Sequence, residues 1–143
     1  MIKHFFSSRT KSPLSNFFPF KLKIWNRTFH STEQAYQFFK CHFHGEWGKV
    51  HKILRAATAV ECYRLGKTCR TSRLWQTQKG EVMLHLLKHK FWQCQEFRVE
   101  LEIRKDCILI EDTNNQFWGR GRDGQGLNTL GVLLHEFIMS MNV

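Results

Sequence analysis

Residues 29–40 read Phe29-His30-Ser31-Thr32-Glu33-Gln34-Ala35-Tyr36-Gln37-Phe38-Phe39-Lys40 and predict the start of a helix. The Ser31 hydroxyl can accept a hydrogen bond from the backbone amide three residues further on, and the Gln34 side chain can reach back toward the helix start. This Ser-x-x-Gln spacing is a capping box, which satisfies backbone donors that a helix start leaves unpaired. We therefore expect a helix that begins directly after Ser31.

Four polar side chains of this helix are expected to share one face. Glu33, Tyr36, Gln37 and Lys40 are separated by the three- and four-residue intervals that align side chains along a helix. The other angles carry residues that suit a core, namely Ala35, Phe38 and Phe39. Glu33 lies beside the positive end of the helix dipole, which favours its ionised form. It is either a solvated carboxylate that complements the dipole or a working carboxylate at the mouth of a pocket.

The composition predicts a single globular domain over residues 1–143. The chain has two prolines, no Ser/Gly-rich linker and no low-complexity segment. Its 22 Lys and Arg outnumber 12 Asp and Glu, which gives a formal net charge of +10. This surplus should attract phosphates, nucleic acid or acidic surfaces. The basic residues are scattered, however, so they also suit a basic protein without such a ligand.

The cysteines and histidines indicate neither a disulfide framework nor a metal site. The five cysteines form no Cys-x-x-Cys pair, and their odd number without a signal peptide predicts reduced thiols in the cytoplasm or another reducing compartment. No apolar run approaches the roughly 18 residues of a membrane span. His85-x-x-x-His89 lacks the Glu of a metalloprotease, and His42-x-His44 is no stronger a signal. We therefore expect no metal.

The periodicity of the chain predicts an α+β fold in which a small sheet packs against a majority of helices. Strands are expected over residues 2–6, 20–25 and 107–110, with a turn at 26–27 that leads directly to the first helix. Further helices are expected over residues 46–54, 58–66, 74–93 and 96–104. Gly66 fits the C-cap of the third helix, and Asn128 can cap the last one. The apolar stripe of that last helix comprises Leu130, Leu133, Leu134, Phe137, Ile138 and Met141.

A glycine-rich stretch occupies residues 118–128 and contains a literal G-x-G-x-x-G. A dinucleotide-binding fold requires this motif directly after a strand and before another βαβ unit, which the chain does not provide. The glycines could still turn backbone amides toward an anion, with Arg120 and Arg122 adding positive charge. The alternative is a flexible surface loop. Aromatic and basic residues also interleave along the chain, a mixture that suits a stacked base and its phosphate unless the aromatics are simply core.

Several ordered motifs resemble the NADAR family, also called YbiA-like. The resemblance lies in Leu14-Ser15-Asn16-Phe17, in residues 31–40, in Trp75-x-x-x-Lys79 and in Phe117-Trp118-Gly119-x-Gly121. It extends from about residue 5 to about residue 137 and is far more specific than a single glycine-rich loop. The resemblance implies a mainly helical α+β fold with one active-site cleft. It also implies N-glycosidase activity without a metal or cofactor, either on phosphorylated pyrimidine intermediates of riboflavin synthesis or on ADP-ribosylated guanine in nucleic acid.

The resemblance assigns the key carboxylate to Glu33. It implies a substrate-binding pocket formed by Arg9, Asn16, Phe17, Tyr36, Lys40, Trp75, Lys79, Trp118, Gly119, Gly121 and Asn128. One position departs from the family pattern, because Asn115 stands where members usually carry an Asp. If that acid protonates the leaving group, this chain must use Asp112 or Asp123, act without it, or be weakened.

The predicted chemistry fits these residue types. Cleavage of a ribosyl C–N bond passes through a cationic, oxocarbenium-like state, which a fixed carboxylate such as Glu33 can stabilise while it activates water. The positive charge favours ADP-ribosylated guanine in nucleic acid as the substrate, with the smaller riboflavin intermediates as the alternative. A second alternative is a module that binds ADP-ribose or nucleic acid without cleaving it, which the Asn115 departure supports. No membrane partner is expected.

Overall fold

The structure, a computed structural model, describes residues 1–141 of the chain. Two compact units are present: one combines Met1–Ser15 with Gln95–Val143, and the other is the continuous segment Asn16–Cys94. In chain order the elements are β1 (Lys3–Phe6), β2 (Leu22–Ile24), β3 (Arg27–Phe29), α1 (Thr32–Phe43), α2 (Trp47–Arg55), α3 (Ala59–Lys67), α4 (Arg73–Gln93), α5 (Gln95–Ile103), β4 (Ile108–Glu111) and α6 (Thr129–Met141). The expectation of one domain over residues 1–143 stays a prediction.

Helix α1 lies at the centre of the continuous unit. Helices α2, α3 and α4 all contact it, and β3 leads into it. Every residue from 32 to 38 is buried, so the first two turns have no solvent-facing side. Over these two turns, the polar face predicted from the sequence and the apolar face are therefore both buried inside the unit.

The helix starts follow the capping signals in the sequence. The side chains of Ser31, Thr58 and Ser72 each accept the amide three residues ahead, at 3.1, 3.2 and 3.1 Å. The Gln34 side chain accepts the amide of His30 at 2.8 Å, one residue earlier than in a standard capping box. These bonds satisfy helix-start donors and fix where α1, α3 and α4 begin.

Two local predictions in this unit are wrong. Residues 27–29 form the strand β3, which pairs antiparallel with β2, because the chain turns at Trp25 and Asn26, one residue before the predicted turn. Gly66 is not a C-cap but an interior residue of α3, whose C-cap is Thr68. The absence of a side chain at Gly66 permits close packing and does not mark the end of the helix.

The other described unit joins the two ends of the chain. Strand β1 pairs in parallel with β4, with Lys3 opposite Ile108 and Phe6 opposite Glu111, and α6 packs against β4. Four members of the predicted α6 stripe are buried: Leu130, Leu134, Phe137 and Ile138. Strand β4 is only partly buried, since Ile108 is exposed while Leu109 is in the core.

Within residues 1–141, six helices and four short strands confirm the α+β class. The strands form two separate two-stranded sheets, one in each unit, instead of the single small sheet that was expected. None of the five cysteines, all of which lie within the described residues, forms a disulfide bond. Among residues 1–141, no helix combines the length and the apolar character needed to cross a membrane.

Candidate active site

Glu33 is an enclosed carboxylate in the first turn of α1. Glu33 is only 6% exposed. The backbone amide of Glu33 donates to the carbonyl oxygen of Asn16 at 2.9 Å, which ties the helix start to the preceding loop. The Gln37 side-chain amide donates to Glu33 Oε1 at 2.7 Å from one turn further along the helix. The interpretation of Glu33 as a solvated surface carboxylate is therefore wrong.

Burial controls the protonation of Glu33. Loss of hydration raises the pKa of the carboxyl from its ordinary value of 4.5 to about 7, against smaller lowering effects of the Gln37 hydrogen bond and the Lys40 charge. The expectation that the helix dipole keeps Glu33 fully ionised is contradicted, because the dipole effect is weaker than the desolvation of an enclosed carboxylate. Near neutral pH this group exchanges between its acid and carboxylate forms.

Gln37 is itself positioned by a glycine. Gly66 of α3 lies so close to the Gln37 carboxamide that a Cβ at residue 66 would overlap Gln37 Oε1 and its neighbouring carbon. The absence of a side chain at Gly66 therefore lets the Gln37 carboxamide fit between α1 and α3. In that position the amide nitrogen reaches the Glu33 carboxylate.

Three buried polar atoms of residues that flank Glu33 in the continuous unit lack a hydrogen-bond partner. Asn16 Oδ1, Thr32 Oγ1 and Gln37 Oε1 are buried and have no hydrogen-bond partner among residues 1–141. The Asn16 amide nitrogen contacts Met83 Sδ at 3.5 Å, which orients its oxygen. Buried polar atoms are normally paired, so unpaired ones in this unit suit a ligand that supplies donors, such as sugar hydroxyl groups.

Lys40 and Lys79 bring positive charge together in the same unit. Both are half-buried, Lys40 on α1 and Lys79 on α4. Burial, and secondarily the positive charge of Lys40, lowers the pKa of Lys79. The charge of Lys40 also acts on Glu33. Two lysines that repel each other while sharing the electrostatic neighbourhood of a carboxylate form a suitable environment for a phosphate anion.

Three predicted aromatic residues lie in this unit. The rings of Tyr36 and Trp75 are 5.7 Å apart between centroids, and both residues are buried. Phe17 is half-buried and packs against Tyr63 at 6.0 Å. Seven of the predicted site residues therefore lie in the continuous unit: Asn16, Phe17, Glu33, Tyr36, Lys40, Trp75 and Lys79.

The remaining predicted site residues belong to the other unit. Arg9 is exposed on a single turn of 3-10 helix at Ser8–Thr10. The amides of Gly119 and Gly121 donate to the carbonyls of Asn115 and Thr113, at 3.1 and 3.0 Å. The glycine-rich loop is therefore internally bonded, and these two amides are not turned toward an anion. The substrate-binding assignment of Arg9, Trp118, Gly119 and Gly121 stays a prediction.

Asn128 has a clear role within that unit. Its side chain accepts the amide of Glu111 and donates to the carbonyl of Leu109, both at 2.9 Å. These bonds extend the edge of β4 in the manner of another strand. The side chain therefore holds β4 instead of capping α6 as expected, and its assignment to the substrate site also stays a prediction.

The departure at Asn115 preserves a backbone contact. Asn115 Oδ1 accepts the amides of Phe117 and Trp118 at 2.9 and 2.7 Å, a role that an Asp would perform equally well. Asp123 accepts the Gln125 amide and the Gln116 side chain, and these bonds lower its pKa. Asp112 lies 3.7 Å from Arg120. The lowered pKa of Asp123 favours its ionised form, so this carboxylate does not suit the role of proton donor.

The described residues contain no group of three or more His, Cys, Asp or Glu side chains arranged to hold a metal ion. His85 and His89 stack at 4.9 Å between ring centroids, as their helical spacing allows. The expectation of a reaction without metal or cofactor stays a prediction.

Gln37, which bonds to Glu33, and Gly66, which packs against Gln37, are absent from the predicted set of site residues. Gln37 had been placed on the face of Glu33, four residues along, but without a role. The Gly66 signal was misread, because a glycine near a helix end commonly marks a C-cap. Only the packing of α3 against α1 reveals that the two residues act together on Glu33.

The chain belongs to the NADAR domain family, whose family model matches residues 4–139. Its curated relatives include N-glycosidase YbiA of Shigella sonnei, which is 32% identical over 140 residues covering 95% of this chain and 85% of the relative. N-glycosidase Npun_R5314 of Nostoc punctiforme is 32% identical over 124 residues, which cover 84% of this chain and 79% of the relative. The family resemblance proposed from the sequence is confirmed.

A solved structure shares the fold. The NMR structure of E. coli YbiA superposes with a TM-score of 0.79 at 27% identity, and the match covers 99% of this chain and 87% of that chain. Another relative is named riboflavin biosynthesis protein VVA0006 of Vibrio vulnificus. It is 31% identical over 124 residues, which cover 85% of this chain but only 33% of the relative.

Proposed function

We propose that this chain is an N-glycosidase that hydrolyses a ribosyl C–N bond and releases ADP-ribose from ADP-ribosylated guanine in nucleic acid. The coarser assignment, hydrolysis of an N-glycosyl bond, is supported by family membership and by relatives named N-glycosidase. The observation that carries the proposal is the enclosed Glu33 carboxylate, which is bonded to Gln37 in a unit that also holds buried polar atoms without partners. A reducing, cytoplasmic location stays a prediction.

The site supplies the elements that this hydrolysis needs. As the bond from the ribose carbon to the base nitrogen breaks, its electron pair leaves with the base and positive charge develops on the sugar. The ionised Glu33 stabilises that charge and accepts a proton from the attacking water, whose oxygen forms the new bond to the ribose carbon. The second product is the base, which takes up a proton.

The ribose and the phosphates have matching partners. Asn16 Oδ1, Thr32 Oγ1 and Gln37 Oε1 can accept hydrogen bonds from ribose hydroxyl groups, which would satisfy atoms that are buried and unpaired. Lys40 and Lys79 suit the pyrophosphate of ADP-ribose. The net charge of +10 favours a substrate carried on a nucleic acid over a small nucleotide.

The product assay separates the candidate substrates. Wild-type protein is incubated with an oligonucleotide that carries ADP-ribosylated guanine and, separately, with phosphorylated pyrimidine intermediates of riboflavin synthesis. Release of free ADP-ribose from the oligonucleotide supports the proposal. Faster release of ribose phosphate from the intermediates supports the second candidate, which the relative named riboflavin biosynthesis protein favours. Tight binding of ADP-ribose without hydrolysis of either substrate would indicate a binding module.

The activity should rise with pH through about 7. Glu33 acts in its carboxylate form, and burial places its pKa at about 7, so the protonated, inactive form predominates at lower pH. We expect kcat/KM to increase from about pH 5.5 and to reach a plateau above about pH 8. The Gln37→Leu variant removes a hydrogen bond that lowers this pKa, so the midpoint should move to higher pH. A fall in kcat/KM as the pH rises through 7 would contradict the carboxylate role.

A further inference from the structure

An aromatic groove lies in the continuous unit between the β2–β3 turn, α1 and α4. Its volume is about 380 Å³, and its aromatic wall consists of Trp25, Phe39, Phe43 and Trp75. A smaller cavity of about 150 Å³ continues from it past Trp25 toward Arg27. The groove shares Trp75 with the predicted substrate-binding residues, but neither cavity is lined by Glu33, Asn16 or Gln37.

Trp25 is unusual in both exposure and backbone conformation. It is 88% exposed at the tip of the hairpin and has a φ of 55°, in the left-handed region that turn positions usually reserve for Gly, Asn or Asp. A large exposed indole contributes little to the stability of the fold, while this backbone conformation opposes it. The exposed ring at this position is available to contact a ligand in the groove.

The chemistry of the groove defines the ligand. Aromatic faces along one wall suit a planar ring, and a volume above 300 Å³ is typical of small-ligand sites. His42, Glu81 and His85 also line the groove and can hydrogen-bond to the polar edge of such a ring. A purely aliphatic ligand would leave these three side chains without partners. Nucleobases combine a flat face with donors and acceptors at the edge.

The charge distribution favours a base that is attached to a phosphate backbone. The Arg27 guanidinium lies 5.0 Å from the ring centroid of Phe38, and both residues line the smaller cavity beside Trp25. The chain carries a net charge of +10. Aromatic platforms beside cationic side chains are the usual way in which proteins hold single-stranded nucleic acid, because stacking requires unpaired bases.

We propose that the aromatic groove binds an unpaired nucleobase of single-stranded nucleic acid, with Trp25 as the stacking platform. This inference rests on the proposed function only in taking a nucleic acid as the substrate. Binding at the groove would hold a neighbouring part of the strand while Glu33 acts on the modified nucleotide. It predicts a preference for single strands over duplexes.

The test measures the binding of an unmodified, fluorescently labelled single-stranded DNA of about 15 nucleotides by anisotropy at fixed salt concentration. Trp25→Gly removes the ring and suits the left-handed backbone, so the turn is preserved. We expect about 5-fold to 100-fold weaker binding, the range measured for single base–aromatic stacks. Trp25→Phe should retain most of the affinity. The matched control is Trp92→Ala, since Trp92 is also exposed, at 77%, but lines neither cavity.

The outcomes separate this inference from the proposed function. Weaker binding by Trp25→Gly but not by Trp92→Ala supports the groove, even if the protein cleaves no ADP-ribosylated guanine. Unchanged affinity of Trp25→Gly for the single-stranded DNA would overturn nucleobase binding in the groove, even if the protein cleaves ADP-ribosylated guanine. Equal binding of duplex and single strand by the wild type would also overturn it, as would binding of free mononucleotide to the groove without binding of the oligonucleotide.

Discussion

Replacement of Glu33 by Gln is expected to lower kcat by about a thousandfold while ADP-ribose still binds. The amide has nearly the same shape as the carboxylate and can keep a hydrogen bond to Gln37, but it cannot stabilise a sugar cation or accept a proton from water. Single-turnover release of ADP-ribose measures the rate, and calorimetry with ADP-ribose measures binding. Wild-type turnover by Glu33→Gln would exclude Glu33 as the catalytic group.

Glu61→Gln is the matched control for this prediction. Glu61 also lies in the first turn of a helix capped by a hydroxyl side chain, but it is exposed. A glutamine can keep its bond to the Ala57 amide, so activity should remain at the wild-type level. Loss of activity in both variants would point to damaged helix starts instead of lost chemistry.

The Glu33→Gln variant should also be more stable than the wild type above neutral pH. The folded-state pKa of about 7 exceeds the ordinary value of 4.5, so folding favours the protonated form. Below about pH 4.5 the carboxyl is protonated in both the folded and the unfolded state, so it does not lower the free energy of unfolding. Between about pH 4.5 and 7, ionisation of Glu33 lowers the free energy of unfolding by an amount that grows to about 3 kcal/mol. Above about pH 7 this loss stays constant. Denaturant unfolding across this range should show that slope in the wild type and its loss in the variant.

Gly66→Ala is expected to lower kcat about tenfold to a hundredfold although residue 66 does not touch the substrate in the proposed mechanism. The added methyl group would overlap Gln37 Oε1, so the Gln37 carboxamide must move and its bond to Glu33 is lost. Such overpacking also destabilises a core, typically by about 1 to 3 kcal/mol. The measurements are kcat and the midpoint of thermal unfolding.

A second alanine substitution separates the loss of Gln37 positioning from a general effect of helix glycines. Gly80 lies inside α4, and a Cβ there would meet nothing within 4 Å. Gly80→Ala should therefore keep full activity and add up to about 1 kcal/mol of stability through helix propensity. Adding Gly66→Ala to Gln37→Ala should cost little further activity if both act through the same bond. If the two substitutions lowered kcat in a fully additive way, they would not act through the same hydrogen bond.

Local sequence signals predicted the helices well. Ser31 and Thr58 mark the starts of α1 and α3 because capping depends on residues three or four positions apart. Strand β3 was missed because its three residues carry no period-2 pattern of their own and pair only through the hairpin. The parallel pairing of β1 with β4 could not be derived, since no local pattern connects residues 3–6 with residues 108–111.

The assignment of Glu33 as the key carboxylate stays a prediction, while its surroundings depend on the fold. The family resemblance selected Glu33, and the structure places it in an enclosed polar setting within the continuous unit. Its raised pKa could not be foreseen, because helix position alone suggested the opposite direction and burial depends on how α1 is surrounded. The aromatic groove depends on the backbone conformation of Trp25, which a sequence does not reveal.

The order of the two units along the chain has a consequence for synthesis on the ribosome. Residues 16–94 are contiguous and can form their contacts as soon as that segment has emerged. Strand β1 emerges before this segment, yet among the described residues it pairs with β4, about a hundred residues later. Its ladder can therefore form only after residues 108–111 have also been translated.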